Sequence, residues 1–90
     1  MLILPIKKKW FDMIRSGEKK EEYREIKQYY DTRFRNAGLI DGYAGLFLFR
    51  NGYSNESPTL AVSVLLEIGQ GRPEWGAEPG KEYYILHILD

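Results

Sequence analysis

Apolar and polar positions recur along the chain with different periods, and the periods divide it into elements. Leu2 to Ile6 is a short apolar run ending at a lysine tract, the pattern of a buried first strand. Pro5 confines that strand to a sheet edge, or marks its end, because proline cannot donate to a ladder. From Lys7 to Arg15, Trp10, Met13 and Ile14 recur at i, i+3 and i+4 with Phe11 beside them. This predicts a helix with an aromatic-rich buried stripe, stopped at Ser16-Gly17.

Residues 18–36 support two readings. Helix propensity is high, and Tyr23, Ile26, Tyr30 and Phe34 fall at roughly helical spacing, so pattern alone predicts one long helix. The competing reading is a strand over 20–26 followed by a short helix over 28–36, ended by Gly38. In that strand Glu22, Arg24 and Ile26 share one face, and Tyr23 and Glu25 the other.

Beyond Gly38 the period changes to that of strands. Gly45 to Arg50 is a dense strand run, Asn51-Gly52 a turn signal, and Ser54 to Pro58 the rest of an exposed hairpin loop. In Thr59 to Ile68, residues 60, 62, 64, 66 and 68 form a strongly apolar face, and Glu67 stands on the weaker one. Gly69 to Gly80 is rich in Gly and Pro and predicts a long loop displaying Arg72, Glu74 and Trp75. Tyr83 to Leu89 predicts a closing strand. About five strands with two short helices near the start predict an α+β architecture, economically a small curved sheet or barrel plugged by helices.

The 90 residues hold one unit, 1–90, without repeat, linker or low-complexity tract. No apolar run approaches the length of a membrane span, so the chain is not expected to be a membrane protein. The absence of cysteine removes disulfides and thiolate metal sites, and the lone His87 cannot build an imidazole site, so neither metal nor organic cofactor is expected. Leu2 to Ile6 is too short for the apolar core of a secretory signal, and lysines follow it rather than precede it, which predicts a cytoplasmic protein.

Net charge is zero, but its distribution is uneven. Residues 1–36 carry ten basic against six acidic side chains, while residues 37–90 carry three against seven. A chain split this way can present a basic face, and a basic face among aromatics is the footprint of a nucleic-acid binder. The bland alternative is lysines solvated on exposed helix faces.

Standard catalytic templates are missing: there is no GxGxxG, GxxxxGK[ST], GxSxG or HExxH. His87, within an apolar strand run, reads as a core or rim histidine. The informative segment runs from Ser16 to Arg24, where a Gly-x-Lys-x-x-Glu-x-Arg spacing lies at a helix-to-strand junction. Here the chain resembles the ASCH domain, a member of the PUA-like superfamily of small β-barrels. The resemblance rests on the strand ending at Ile6-Lys7, the helix Trp10 to Ile14, the Ser-Gly turn, and Lys19, Glu22 and Arg24; it is strongest over residues 2–36. It implies that 20–26 is a strand. It also implies a cleft between the first helix and the barrel that binds RNA or a modified nucleoside.

The residues expected to bind ligand are Lys7, Lys8, Gly17, Lys19, Glu22, Arg24 and Trp75. Lys19 would supply a point charge, and Arg24 a planar fork that pairs with Glu22 or stacks on a base. Because alternation puts Lys19 opposite Glu22, a shared cleft requires Lys19 to lie in the turn before the strand. The structural alternative is a plain ion pair between Glu22 and Arg24 at a sheet edge. Were the cleft catalytic, Lys19 and Glu22 would be the acid/base pair of a ribonuclease. The family's N4-acetylcytidine amidohydrolases carry Thr where this chain has Glu22, which weakens that analogy, and Glu67 is only a positional candidate for their glutamate. A protein-interaction module is the third reading. Trp10, Phe34, Phe47 and Phe49 are expected to fill the core, whereas Tyr23, Tyr29, Tyr30, Tyr53, Trp75 and Tyr84 are available for stacking, with Trp75 the most exposed ring.

Overall fold

A computed structural model describes residues 2–38, 42, 44–54 and 56–89. Its elements in chain order are β1 (Leu2–Ile6), α1 (Lys8–Ser16), β2 (Glu21–Glu25), α2 (Gln28–Asn36), β3 (Ala44–Asn51), β4 (Thr59–Gln70) and β5 (Glu82–Ile88), with a 3₁₀ turn at Pro73–Trp75. Among the described residues the strands form one curled half-barrel sheet in the order β1-β3-β4-β5-β2. β1 runs parallel to β3, and every other pairing is antiparallel. No described helix is long and apolar enough to cross a membrane.

The single long helix that propensity favours over 18–36 does not form. Glu21 to Glu25 pairs with β5 in the register Glu22↔Leu86 and Arg24↔Tyr84, and the backbone is extended again at Lys27. Ladder hydrogen bonds and the burial of Tyr23 outweigh a preference worth tenths of a kcal/mol per residue. Ile26, which the helical stripe required inside, is exposed. The hairpin loop and the closing strand fall within a residue or two of expectation; Asn55 of that loop lies outside the described residues.

One face of the sheet carries the main core. Leu4 and Ile6 of β1, Phe47 and Phe49 of β3, Val62, Val64 and Leu66 of β4, and Leu86 of β5 meet Phe11 and Ile14 of α1 and Phe34 of α2. Each such side chain contributes about 1.5–3 kcal/mol by leaving water. A smaller cluster of Tyr23, Ala77, Tyr83 and Ile85 lies on the other face, covered by the loop carrying Trp75. That loop passes so close that a Cβ on Gly71 would lie 2.6 Å from the Tyr23 ring, so only glycine fits there. Trp75 is therefore half-buried, and the most exposed of the stacking candidates is Tyr53, at 88%.

β1 and β2 are the two edges of the sheet, consistent with Pro5 in β1. The curl brings them to a common seam without pairing them. Across it Arg24 Nη2 donates to the Pro5 carbonyl at 3.0 Å.

Candidate functional site: a cleft along the open seam

The turn between α1 and β2 places the first functional side chain. Gly17 takes the left-handed conformation (φ 86°) that ends α1, its N–H donating to the Ile14 carbonyl, and the Lys19 N–H reaches back to the Met13 carbonyl at 2.9 Å. Lys19 thus lies before β2, as a shared site with Glu22 demands, and its Nζ donates to Glu22 Oε1 at 2.5 Å. The second carboxylate oxygen accepts from Arg24 Nη1, also at 2.5 Å, and the same nitrogen donates to the Tyr23 carbonyl at 3.0 Å.

Glu22 therefore sits between two cations. Lys19 is 1% exposed and Glu22 4%, so the edge ion pair anticipated as a surface feature is instead a desolvated triad. Burial pushes the Lys19 ammonium below the ordinary lysine range, while the Glu22 carboxylate beside it opposes that shift. The Trp10 and Tyr23 rings lie 4.9 and 5.2 Å from its Nζ and stabilise the charge through their faces.

Above the triad runs a cleft of about 620 Å³. One wall is β1 from Ile3 to Ile6, the other β2 from Glu22 to Glu25; the start of α1, the first turns of α2, the Asn51-Gly52-Tyr53 turn and Trp75 close its rim. The Gly52 N–H, bonded to the Ile6 carbonyl at 3.1 Å, fixes that turn beside β1.

Of the residues expected to bind ligand, Lys7, Lys8, Glu22, Arg24 and Trp75 line the cleft. Lys19 and Gly17 do not: Lys19 lies buried against Glu22, and Gly17 is exposed at the end of α1. Trp10, expected in the core, is half-buried: it packs against the main core and also lines the cleft, with Gly76 so near that a Cβ there would lie 3.0 Å from its indole. Glu67 is remote. It stands on the opposite face of the sheet with Oε1 2.8 Å from His87 Nε2, while His87 Nδ1 lies 3.3 Å from Glu21. His87 is thus a rim residue with both nitrogens partnered.

Lys27, Tyr29, Tyr30, Arg33 and Tyr53 also line the cleft. The rings among them were legible as stacking candidates, but Lys27 and Arg33 were missed as site residues. Their signal was the presence of basic and aromatic residues together from Lys27 to Arg35, which acquires a location only when α2 is set against the seam. Lys7, Lys27 and Arg33 form no ion pair among the described residues, whereas Lys8 is held by Asp12 at 2.6 Å in an exposed pair of little energetic weight. Arg33 lies 4.3 Å from the centre of the Tyr29 ring, and Lys27 5.5 Å from that of Tyr30.

This arrangement can bind an anion with planar groups. Proton transfer by Lys19 and Glu22 is a poor fit, because Lys19 is sealed from the cleft and both Glu22 oxygens already accept hydrogen bonds. Among the described residues no cluster of three or more His, Asp or Glu side chains could hold a metal ion. Fold and cleft together define a small α+β protein with a cationic, aromatic seam. No family model, curated protein or solved structure matches the chain.

Proposed function

We propose that the protein binds RNA or a modified nucleoside in the seam cleft, as a small PUA-like domain of the ASCH kind that its Gly17 to Arg24 segment resembles. One observation carries the reading: Lys7, Lys27 and Arg33 enter a cleft rich in aromatic rings without a carboxylate partner among the described residues. Cations left unneutralised beside ring faces suit a ligand that brings phosphates and bases together. The curled five-stranded sheet with two helices supports the PUA-like part in outline. In this reading the Lys19–Glu22–Arg24 triad shapes and charges the floor, and Arg24 alone of the three presents hydrogen-bond donors to a ligand.

The test is a titration of isotopically labelled protein with single-stranded RNA and with modified cytidines at two salt concentrations. Amide shifts should cluster at 3–8, 22–33 and 51–53, and RNA affinity should fall as salt rises. Lys27→Ala should lower the logarithmic salt slope by about one, the value for one lost phosphate contact. No shift with any of these ligands refutes the reading and turns attention to a protein partner.

A further inference from the structure

Two groups of rings line the cleft. At one, the Trp10 ring lies 4.9 Å from the Lys19 Nζ that donates to Glu22, with Gly76, next to Trp75, close against the indole. At the other, α2 presents Tyr29, which packs edge-on against Tyr30 with ring centres 5.0 Å apart and takes the Arg33 guanidinium on its face. Tyr29 is 54% exposed yet held from two sides, so an open aromatic surface is kept in a fixed orientation. Holding it costs little on binding, because Tyr30 is itself anchored against Phe34 of the core.

Resting on the RNA reading above, we infer that Tyr29 and Arg33 form a second stacking platform, and that the ligand is a single-stranded RNA of at least two nucleotides rather than a free nucleoside. A lone nucleoside or mononucleotide can occupy one group of rings only and leaves the other uncovered, and a nucleoside brings no phosphate to Lys27 and Arg33, which form no ion pair among the described residues. A duplex keeps its base faces stacked on one another and offers nothing to the rings. An unpaired strand satisfies both needs: one base meets the indole end, the intervening phosphate meets the cations, and the next base lies on Tyr29 or on the guanidinium plane over it.

The experiment compares a mononucleotide, a dinucleotide, a single-stranded hexanucleotide and a hairpin duplex of ribonucleotides by calorimetric titration at fixed salt. Affinity should rise at least tenfold from mononucleotide to dinucleotide, and the duplex should bind more weakly than the hexanucleotide. Tyr29→Ala should lower dinucleotide affinity about five- to hundredfold, the effect of removing one stacked base. Tyr29→Phe keeps the ring and should retain the gain, and thermal melting of both variants separates lost stacking from lost folding. Equal binding of mononucleotide and dinucleotide, or of duplex and single strand, overturns this inference while leaving the proposed function standing. Absence of binding by every ligand removes this inference and the RNA part of the proposed function, and leaves the modified nucleoside to the titration above.

Discussion

Glu22→Gln isolates the electrostatics on which the seam depends. The substitution keeps side-chain volume and an acceptor oxygen but deletes the negative charge between Lys19 and Arg24. Arg24, whose side chain is 14% exposed, can turn to water and to the Pro5 carbonyl. Lys19, at 1% exposure with its Nζ 2.5 Å from the lost charge, cannot. Breaking a buried pair from one side costs about 3–5 kcal/mol, because an uncompensated charge remains in a poorly polarisable site. A chain of this length has a total stability of about 5–13 kcal/mol. With a urea dependence of about 1–1.5 kcal/mol per molar, the unfolding midpoint should fall by about 2–5 M.

Urea unfolding followed by tryptophan fluorescence and circular dichroism measures the loss, and two controls assign its cause. Adding Lys19→Met removes the orphaned charge and should restore most of the stability. The pH response has a definite sign. Because the folded-state pKa of Lys19 is depressed, the unfolded chain binds more protons between that value and the ordinary lysine value of 10.5, and stability rises with pH across this interval. Loss of Glu22 removes the main influence raising that pKa, so the single variant should gain stability from neutral to mildly alkaline pH, and the double variant should not. A loss below about 1 kcal/mol would falsify the picture of a desolvated triad. A double variant as unstable as the single one would assign the loss to packing.

Two further outcomes follow from the opposite face of the sheet. Burial, then the hydrogen bond to Glu21, raises the Tyr23 phenol above its ordinary value of 10.0; its contribution to stability is fully present below that value and is lost as pH climbs through the raised one. Tyr23→Phe should therefore flatten the alkaline loss of stability, and the tyrosinate absorbance this variant lacks should have its midpoint above pH 10.0 in the folded wild-type protein; a midpoint at or below that value refutes this. Gly71→Ala forces a methyl into the Tyr23 ring and to within 2.7 Å of Ala77 Cβ, so it should cost about 1–3 kcal/mol and lower the melting temperature by about 4 °C or more. An unshifted melting curve contradicts that close approach.

Local pattern determined much of this protein. The aromatic helix, its stop at Gly17, the edge position of β1 and the strands beyond Gly38 are all legible, because apolar period and glycine or proline punctuation act over a few residues. The relation of Lys19 to Glu22 was legible only with the resemblance: alternation sets the two on opposite faces of a strand, and the shared cleft that the resemblance implies required Lys19 to lie in the turn before it. Only tertiary structure decided the state of residues 21–25, since the chain's helix propensity loses to pairing with β5, more than fifty residues away in sequence. It also decided that Lys19 is sealed beneath the cleft while Lys27 and Arg33 open into it. Burial and electrostatic pairing depend on which segments the curl of the sheet brings to the seam between β1 and β2, and no local pattern records that meeting.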